Sequence, residues 1–545
     1  MKSWIRSGII TMLFLLVLLV IIFVFYRGYL YDLLFEEYTL FDDEFVYEKV
    51  ETYTLNFDHN TFINQPIDTS HNIYLTVLEM NNLSFTEYIN QSDGKSSKTY
   101  DVYFYDDKKS LFDNGFFVRQ ANSELKLKGK NPFNDRQKSF KLTLFDSEGL
   151  WENQKTINFE KQEADPLRIR NKLALDLQED IDHLFSLKSS FVRLFIKDLN
   201  MDPDTFYDYG LFVQVENMDD LYFLNREMSP EGYLYEMDNF RFQEASLGRL
   251  EKDNDVNTKG DKSNKKFNDF ISAVHTPDIP TKLLVEQYFE KDHLLNWLAF
   301  NILIGNKNVV ERDYYLYSPK TSNKWYFIPD DSDASFGRIK NAPNWKLGIG
   351  NYYNNALYSR ILLDETLRND LINRVETMGE ELSASVVKEK LDIYYDEFFT
   401  SITNEPDFAM LEYSFEDFRL NYYELMNYPE KMIINFKESL NFPLPFKVSI
   451  DLNEDDLVLS NFNSQMLDGS DVEYLVTLSH DKSQKDIVKQ FSTMEDFLII
   501  ENLDPGIFYV NVSAWHENGY TQDMSNMYED EFGKKKNGLI RVEIN

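Results

Sequence analysis

Asn308 and Asp313 sit five residues apart in the run Asn308-Val309-Val310-Glu311-Arg312-Asp313-Tyr314-Tyr315-Leu316-Tyr317. Shortly afterwards comes Trp325-Tyr326-Phe327-Ile328-Pro329-Asp330-Asp331-Ser332-Asp333-Ala334-Ser335-Phe336-Gly337, an apolar strand that delivers acidic side chains just ahead of a Phe-Gly turn. Grouped carboxylates are hard oxygen donors, the kind that hold Mg²⁺ at about 2.1 Å and bridge it to phosphates. The acidic stretch also reads as a plain solvated turn or as a Ca²⁺-type loop.

Protein kinases use the same order of parts: a loop aspartate as base, an asparagine five positions on, and a metal-binding aspartate before Phe-Gly. Here the loop pair is reversed, Asn308 first and Asp313 second. An amide cannot accept a hydroxyl proton, and loss of a general base typically costs about 10²–10⁴ in rate. Phosphoryl transfer rests mostly on positioning and charge neutralisation, however. The total charge of the pair is unchanged. The reversal is compatible with an altered transferase in which Asp313 accepts the proton or tightens metal binding. It is equally compatible with a site that binds without turnover, or with a vestigial pocket in a scaffold.

The elements that must carry these residues divide the chain in two. From residue 73 onward, Ile73-Tyr74-Leu75-Thr76-Val77-Leu78, Tyr100-Asp101-Val102-Tyr103-Phe104-Tyr105, Ser123-Glu124-Leu125-Lys126-Leu127-Lys128 and Ser139-Phe140-Lys141-Leu142-Thr143-Leu144 read as strands, the last two with clear alternation. An amphipathic helix is expected over residues 167–187, then strands at 191–196 and 210–216. Residues 251–268 are polar and read as a mobile loop. Residues 281–305 predict one long helix ending at Gly305, and residues 355–440 are helical again. An α+β domain results, with the acidic loop at the junction between a strand-rich and a helical lobe, where a cleft is natural. Beyond residue 445, short strands at roughly ten-residue spacing predict a β-sandwich of about 100 residues.

The N-terminus opens with an apolar run over residues 8–26, long enough at 1.5 Å rise to cross a hydrocarbon core of about 30 Å. Lys2 and Arg6 precede it, acidic residues follow, and no small-residue cleavage site closes it. These features predict a retained single-pass anchor (residues 1–27) with a cytoplasmic N-terminus and the bulk of the chain outside the cell. Residues 28–70 are an acidic, aromatic stalk. With 92 acidic against 56 basic residues the net charge is −36, which argues against nucleic acid and anionic lipid headgroups as partners. There is no cysteine, hence no disulfide and no thiolate zinc site. An exported chain built this way fits a Gram-positive surface.

Several pieces, in order, resemble the CotH kinase family, atypical protein kinases named for a spore-coat protein. Leu125-Lys126-Leu127-Lys128-Gly129-Lys130-Asn131 with Arg136-Gln137-Lys138-Ser139-Phe140-Lys141-Leu142 resembles its basic hairpin. Gly210-Leu211-Phe212 with Glu216 and Asp219 resembles its G-x-Y-x-x-x-E strand. Residues 297–317 and 325–337 resemble its core, and Ala356-Leu357-Tyr358-Ser359-Arg360-Ile361-Leu362 the helix that follows. The resemblance covers residues 70–430 and implies a bilobal, protein-kinase-like domain over residues 71–440.

By that resemblance Asp331 is the metal-binding aspartate and Asp333 the second acid of the same strand. Asn308 stands where the family has its proposed base, and Asp313 where it has a metal-holding asparagine. Lys128, Arg136, Lys138 and Lys141 are implied to meet the phosphates of ATP, with Mg²⁺ or Mn²⁺ as the ion. Read from pattern alone, these bases are also the solvated face of a hairpin. Glu216 is implied either to orient one of the lysines or to approach the metal, and Asp330 to be a surface residue. A membrane-anchored kinase acting on a surface protein or envelope polymer is one expected role. The other is an impaired, pseudokinase-like binding protein or scaffold in spore-coat, cell-envelope or exopolysaccharide assembly. Residues 502–519 of the C-terminal part resemble the E-to-F region of fibronectin type III domains, with Phe462 in place of the usual early tryptophan.

Overall fold

Alternating apolar residues in the first half of the chain fold inward around a closed barrel. The computed structural model describes residues 55–56, 71–78, 84–90, 98–106, 120–129, 135–242, 256–260, 265–338, 348–411, 414–453, 456–529 and 535–544. The predicted membrane anchor lies outside these residues, as does nearly all of the stalk. Among the described residues no helix is long and apolar enough to cross a membrane.

The barrel strands are β1 (Leu55–Asn56), β2 (His71–Val77), β3 (Tyr100–Asp106), β4 (Ser123–Lys128), β5 (Ser139–Leu144), β6 (Thr156–Glu160), β7 (Ser189–Asp198) and β8 (Thr205–Glu216). They run in the order β1-β8-β6-β5-β4-β3-β2-β7, and β7 pairs back onto β8 to close the ring. Only β2–β7 is parallel among these pairs. Closure pairs both flanks of each strand in the ring. Leu125, Phe140, Leu142, Ile157 and Phe159 are fully buried, one apolar row per pleat. The register sets Lys128 opposite Ser139 at the end of β4 and Phe140 opposite Phe159. Lys128 and Glu160, the last residues of β4 and β6, therefore share one end of the barrel with Ser139 between them.

A second, antiparallel sheet has the order β10-β9-β11-β12, built from β9 (Gly232–Met237), β10 (Val256–Gly260), β11 (Tyr314–Pro319) and β12 (Tyr326–Pro329). The hairpin β11–β12 brings Tyr314 opposite Pro329, so the two chemistry-bearing runs meet at its open end. Helices α1 (Phe85–Ile89), α2 (Arg170–Glu179) and α3 (Asp220–Leu224) belong to the strand-rich part. The helical part holds α4 (Lys265–His275), α5 (Thr281–Tyr288), α6 (Lys291–Leu303), α7 (Ala356–Leu363), α8 (Glu365–Glu381), α9 (Ala384–Ile402), α10 (Phe415–Glu424) and α11 (Tyr428–Ser439). One apolar core joins these helices to the second sheet. The domain is a mixed α+β fold, as expected.

Three expectations need correction. The long helix over residues 281–305 is two: Phe289 turns extended (φ −136°, ψ 153°) and buries its ring against Phe327 at 5.9 Å. Lys324 supplies the donors that the end of α5 lacks, to the carbonyls of Glu286 (2.8 Å) and Phe289 (2.7 Å). The polar stretch 251–268 is not simply a loop, because β10 pairs with β9 and α4 begins at Lys265. The helix over residues 167–187 shortens to α2. Asp165, fully buried, accepts the N–H groups of Leu167, Ile169 and Arg170 at 3.0, 2.9 and 2.9 Å and so fixes a turn ahead of it.

From Phe446 onward two sheets share one apolar core that includes Leu457, Leu459, Val476, Leu478, Val510 and Val512. One sheet is β13 (Ser449–Asn453), β14 (Asp456–Ser460) and β17 (Phe497–Ile500). The other holds β15 (Glu473–Ser479), β16 (Ile487–Thr493), β18 (Gly506–Trp515), β19 (Thr521–Asp523) and β22 (Ile540–Ile544), with β20 (Met527–Glu529) and β21 (Lys535–Asn537) as a separate hairpin. Phe462 is buried there against Tyr474, ring centroids 5.1 Å apart.

His293 on α6 ties the two parts of the hairpin neighbourhood together. Its Nδ1 bonds the His183 carbonyl at 2.7 Å, and its Nε2 accepts the Phe327 N–H at 2.8 Å, which requires a neutral ring. Burial pushes its pKa down from 6.5 to about 4. The unfolded chain therefore takes up a proton in that window while the folded chain does not. Stability falls as pH drops from about 6.5 to about 4, by up to about 1.4 kcal/mol per pH unit, and this contribution is flat outside the window. Denaturation midpoints followed across that range are expected to fall more steeply for the wild type than for His293→Gln.

Candidate functional site

Gly305 ends the segment leading into the site with φ +65°, where a Cβ would sit 2.6 Å from the Tyr428 hydroxyl. After it, Asn308 opens a single 3-10 turn, Asn308–Val310. Its amide nitrogen donates to Asp313 Oδ2 at 2.7 Å, and its carbonyl oxygen accepts from Arg312 at 3.4 Å. Asp313 adopts φ +65°, a left-handed backbone costing on the order of 1–3 kcal/mol outside glycine. The main chain holds it there. Its N–H donates to Met237 of β9 at 3.2 Å, and its carbonyl accepts the N–H groups of Asp330 (3.0 Å) and Asp331 (3.4 Å). The reversed pair is thus a direct amide–carboxylate hydrogen bond, pinned to the backbone of the acidic run.

That run is fixed from three sides. Asp331 accepts the Asp333 N–H at 2.8 Å. The buried Asn171 of α2 accepts the Ser332 N–H at 2.9 Å. Asp333 is ion-paired with Arg338. Phe336, buried, donates its N–H to the Ile304 carbonyl at 2.7 Å and packs edge-on to Tyr428. Arg170, paired with Asp165, reaches the Phe336 carbonyl at 3.4 Å.

The electrostatics show what has been gathered. Burial raises the Asp313 carboxyl to about 6; Arg312 and the Asn308 bond oppose the rise, while Asp330 and Asp333 add to it. Asp331 lies well above the ordinary carboxylate range, through burial first and then through Asp333, Glu160 and Asp313. Asp333 is raised by burial and held back by Arg338. The three aspartates picked out by spacing therefore lie in one another's field. They do not form a preassembled cage: among the described residues no three acid or imidazole side chains converge closely enough to grip one ion.

Among the four hairpin bases, Lys128 lies in the field of this cluster. Burial works against its ammonium, but Glu160, which forms an ion pair with it, and then Asp330 and Asp331 raise its pKa overall. Lys138 is buried and donates to the Asp135 carbonyl. Lys141 donates to Asn217 at 3.0 Å, and Glu163 accepts the Arg136 main-chain N–H at 3.0 and 2.8 Å. Glu216 orients no lysine. It is buried and accepts two bonds from Arg226 (2.9 and 2.7 Å) and one from the Lys188 N–H (3.1 Å).

Asp330 is a member of the cluster and not a surface acid. It is half-buried and accepts the Tyr315 hydroxyl at 3.0 Å; burial raises its pKa and Lys128 opposes the rise. Glu160, Asp165 and Asn171 were also missed. For Glu160 the only sequence signal is the short alternation Ile157-Asn158-Phe159 ahead of a terminal acid. A cavity of about 440 Å³, lined in part by Leu177, Ile181, Asn296, Arg374 and Leu382, contains none of these residues.

The profile of the CotH kinase protein family matches residues 125–428, more than half of the chain, and the protein belongs to that family. It is 22% identical over 228 residues to the inner spore coat protein H of Bacillus subtilis (strain 168), covering 40% of this chain. The chain spans 60% of the length of that relative. Among solved structures, the Helicobacter pylori proinflammatory kinase CtkA matches at 11% identity, over 55% of this chain and 91% of that one, with a TM-score of 0.27. A likeness so low carries no conclusion about chemistry.

Glu216 and Arg226 form a structural ion pair. Glu216→Gln strands a largely buried guanidinium and is expected to lower unfolding stability by about 3–5 kcal/mol. Chemical denaturation of the variant beside the wild type checks this.

Proposed function

We propose that this chain is a membrane-anchored, extracytoplasmic member of its family. Its site at the barrel–hairpin junction binds ATP with Mg²⁺ or Mn²⁺ and transfers phosphate to a surface protein or an envelope polymer. The observation that carries this reading is the half-buried Lys128–Glu160 ion pair in the same field as Asp330 and Asp331, with Asp313, hydrogen-bonded to Asn308, acting on Asp331 as well. A lysine oriented by a glutamate beside a metal-binding aspartate is what phosphate cradling needs.

The donor set fits a hard divalent cation. Asp333 pushes the Asp331 pKa up, a repulsion that a cation removes. Arg338 and Arg312, beside Asp333 and Asp313, supply local countercharge. Asp331 and Asp333 would hold the ion, Lys128 the nucleotide phosphates. Asp313 is the proton acceptor, since Asn308 cannot be. A bound ion would neutralise charge on the phosphates. In this reading the apolar segment 8–26 is the anchor, and the two C-terminal sheets form a fibronectin type III-like spacer.

A second reading has its own support in Asn308 at the base position and in the absence of three converging acids among the described residues. In that reading the site binds without turnover and the protein is a scaffold for spore-coat, cell-envelope or exopolysaccharide assembly.

Incubation of the purified protein with labelled ATP and Mn²⁺ is expected to label either the protein itself or an added acidic-protein acceptor. Asp331→Ala should abolish the label, and Asp313→Asn should cut its rate by about 10²–10⁴. Asn308→Asp/Asp313→Asn, assayed alongside, tests whether the familiar order works in this frame. Thermal stabilisation by nucleotide and metal without any label selects the scaffold reading. Neither label nor stabilisation eliminates both.

A further inference from the structure

The segment between α9 and α10 reaches back to the barrel. Asp407, buried there, accepts the Leu211 N–H at 2.6 Å and Gln137 Nε2 at 3.3 Å, and it pairs with Lys161 at 2.6 Å. The Lys161 ammonium also donates to the carbonyls of Tyr209 (2.7 Å) and Leu211 (2.9 Å) and lies 4.4 Å from the centre of the Phe212 ring. Two residues before Asp407, the Glu405 carbonyl accepts from Arg193 at 3.2 Å. Gly210, at φ +79°, makes the approach possible, because any Cβ there would run into the Asp407 carboxylate.

Lys161 is the residue after Glu160. Its N–H donates to Ser139 Oγ at 3.0 Å and its carbonyl accepts from Arg168 at 2.9 Å. Residue 161 is therefore held at its amide, its carbonyl and its side chain, and the anchor of the side chain comes from the helical part. Without Asp407 this buried ammonium keeps its carbonyl acceptors but loses its ion-pair partner, and it must shift or lose its proton. Any such shift at the end of β6 is transmitted across one peptide bond to Glu160.

We propose that Asp407 is a positioning residue for the Lys128–Glu160 pair, acting through Lys161, so that the contact between this helical segment and the barrel sets how tightly the site takes a nucleotide. This rests on the nucleotide reading above. It adds to that reading a control point more than 240 residues downstream of Glu160 in the sequence.

The test titrates the full chain with Mn²⁺ alone, and with Mn²⁺ plus a non-hydrolysable ATP analogue. Asp407→Asn is expected to weaken the analogue by about tenfold or more while Mn²⁺ alone changes less than about twofold. A general loss of structure would weaken both. In a Glu160→Gln background, Asp407→Asn should change analogue affinity less than about threefold, because the two residues lie on one path. If Asp407→Asn fails to fold, Gln137→Met removes one donor to the same carboxylate and should show the same split, smaller in size. Unchanged analogue affinity in the folded variant, equal weakening of Mn²⁺, or full additivity with Glu160→Gln overturns the proposal. If wild type binds both probes and the variants match it, only this inference falls. If wild type binds neither probe, the nucleotide reading falls and takes this one with it.

Discussion

Too many carboxylates meet at one place in this fold, and the rest of the site follows from how they are compensated. Asp313, Asp330, Asp331, Asp333 and Glu160 interact electrostatically across the end of the barrel and the open end of the β11–β12 hairpin. Buried like charges are tolerated only with countercharge or protonation. Bases from separate elements answer them: Lys128 from β4, Arg312 from the loop, Arg338 from beyond the Phe-Gly turn. Each base is committed to a different acid. That division explains why the acids share a field without converging on one point.

The same constraint explains the rigidity around the cluster. Asp313 occupies a left-handed backbone only because Met237, Asp330 and Asp331 hold its amide and carbonyl. Asn171 and Ile304 fix the acidic run from α2 and from the end of α6. The Phe-Gly turn is set by Tyr428 and Arg170. Loops carrying buried charge have to be tied down in this way, since a floating carboxylate finds water instead.

Much of this was legible from residue order. Alternation placed β4 and β5 to the residue, because Leu125 and Leu127 in β4 and Phe140, Leu142 and Leu144 in β5 recur at every second position. Asp331, Asp333, Asp313 and Lys128 stood out by spacing and resemblance. Glu160 did not, since β6 spans five residues and its partner is 32 positions away. Ring closure depends on the parallel pairing of β2 with β7, strands far apart in sequence, which no local pattern encodes. The break between α5 and α6 was hidden because Phe289 suits a helix by type. Its ring is drawn inward to Phe327, a tertiary gain that outweighs helical continuity. Glu216 showed the opposite failure: the motif position is right, but Arg226, ten residues on, claims the carboxylate.

The exchange of amide and carboxylate between positions 308 and 313 is less disruptive than it looks as text. A carboxylate at either position can accept from an amide at the other, so both the hydrogen bond and the net charge survive the swap. What changes is where the acceptor is mounted. A base at 308 would stand on a short 3-10 turn, whereas Asp313 stands on the peptide that receives the Asp330 and Asp331 N–H groups. The carboxylate of the pair is thereby coupled through one carbonyl to the strand end that carries Asp331 and Asp333. Any shift of that strand end on binding a cation would move Asp313 with it, a coupling that a base on the 308 turn would lack.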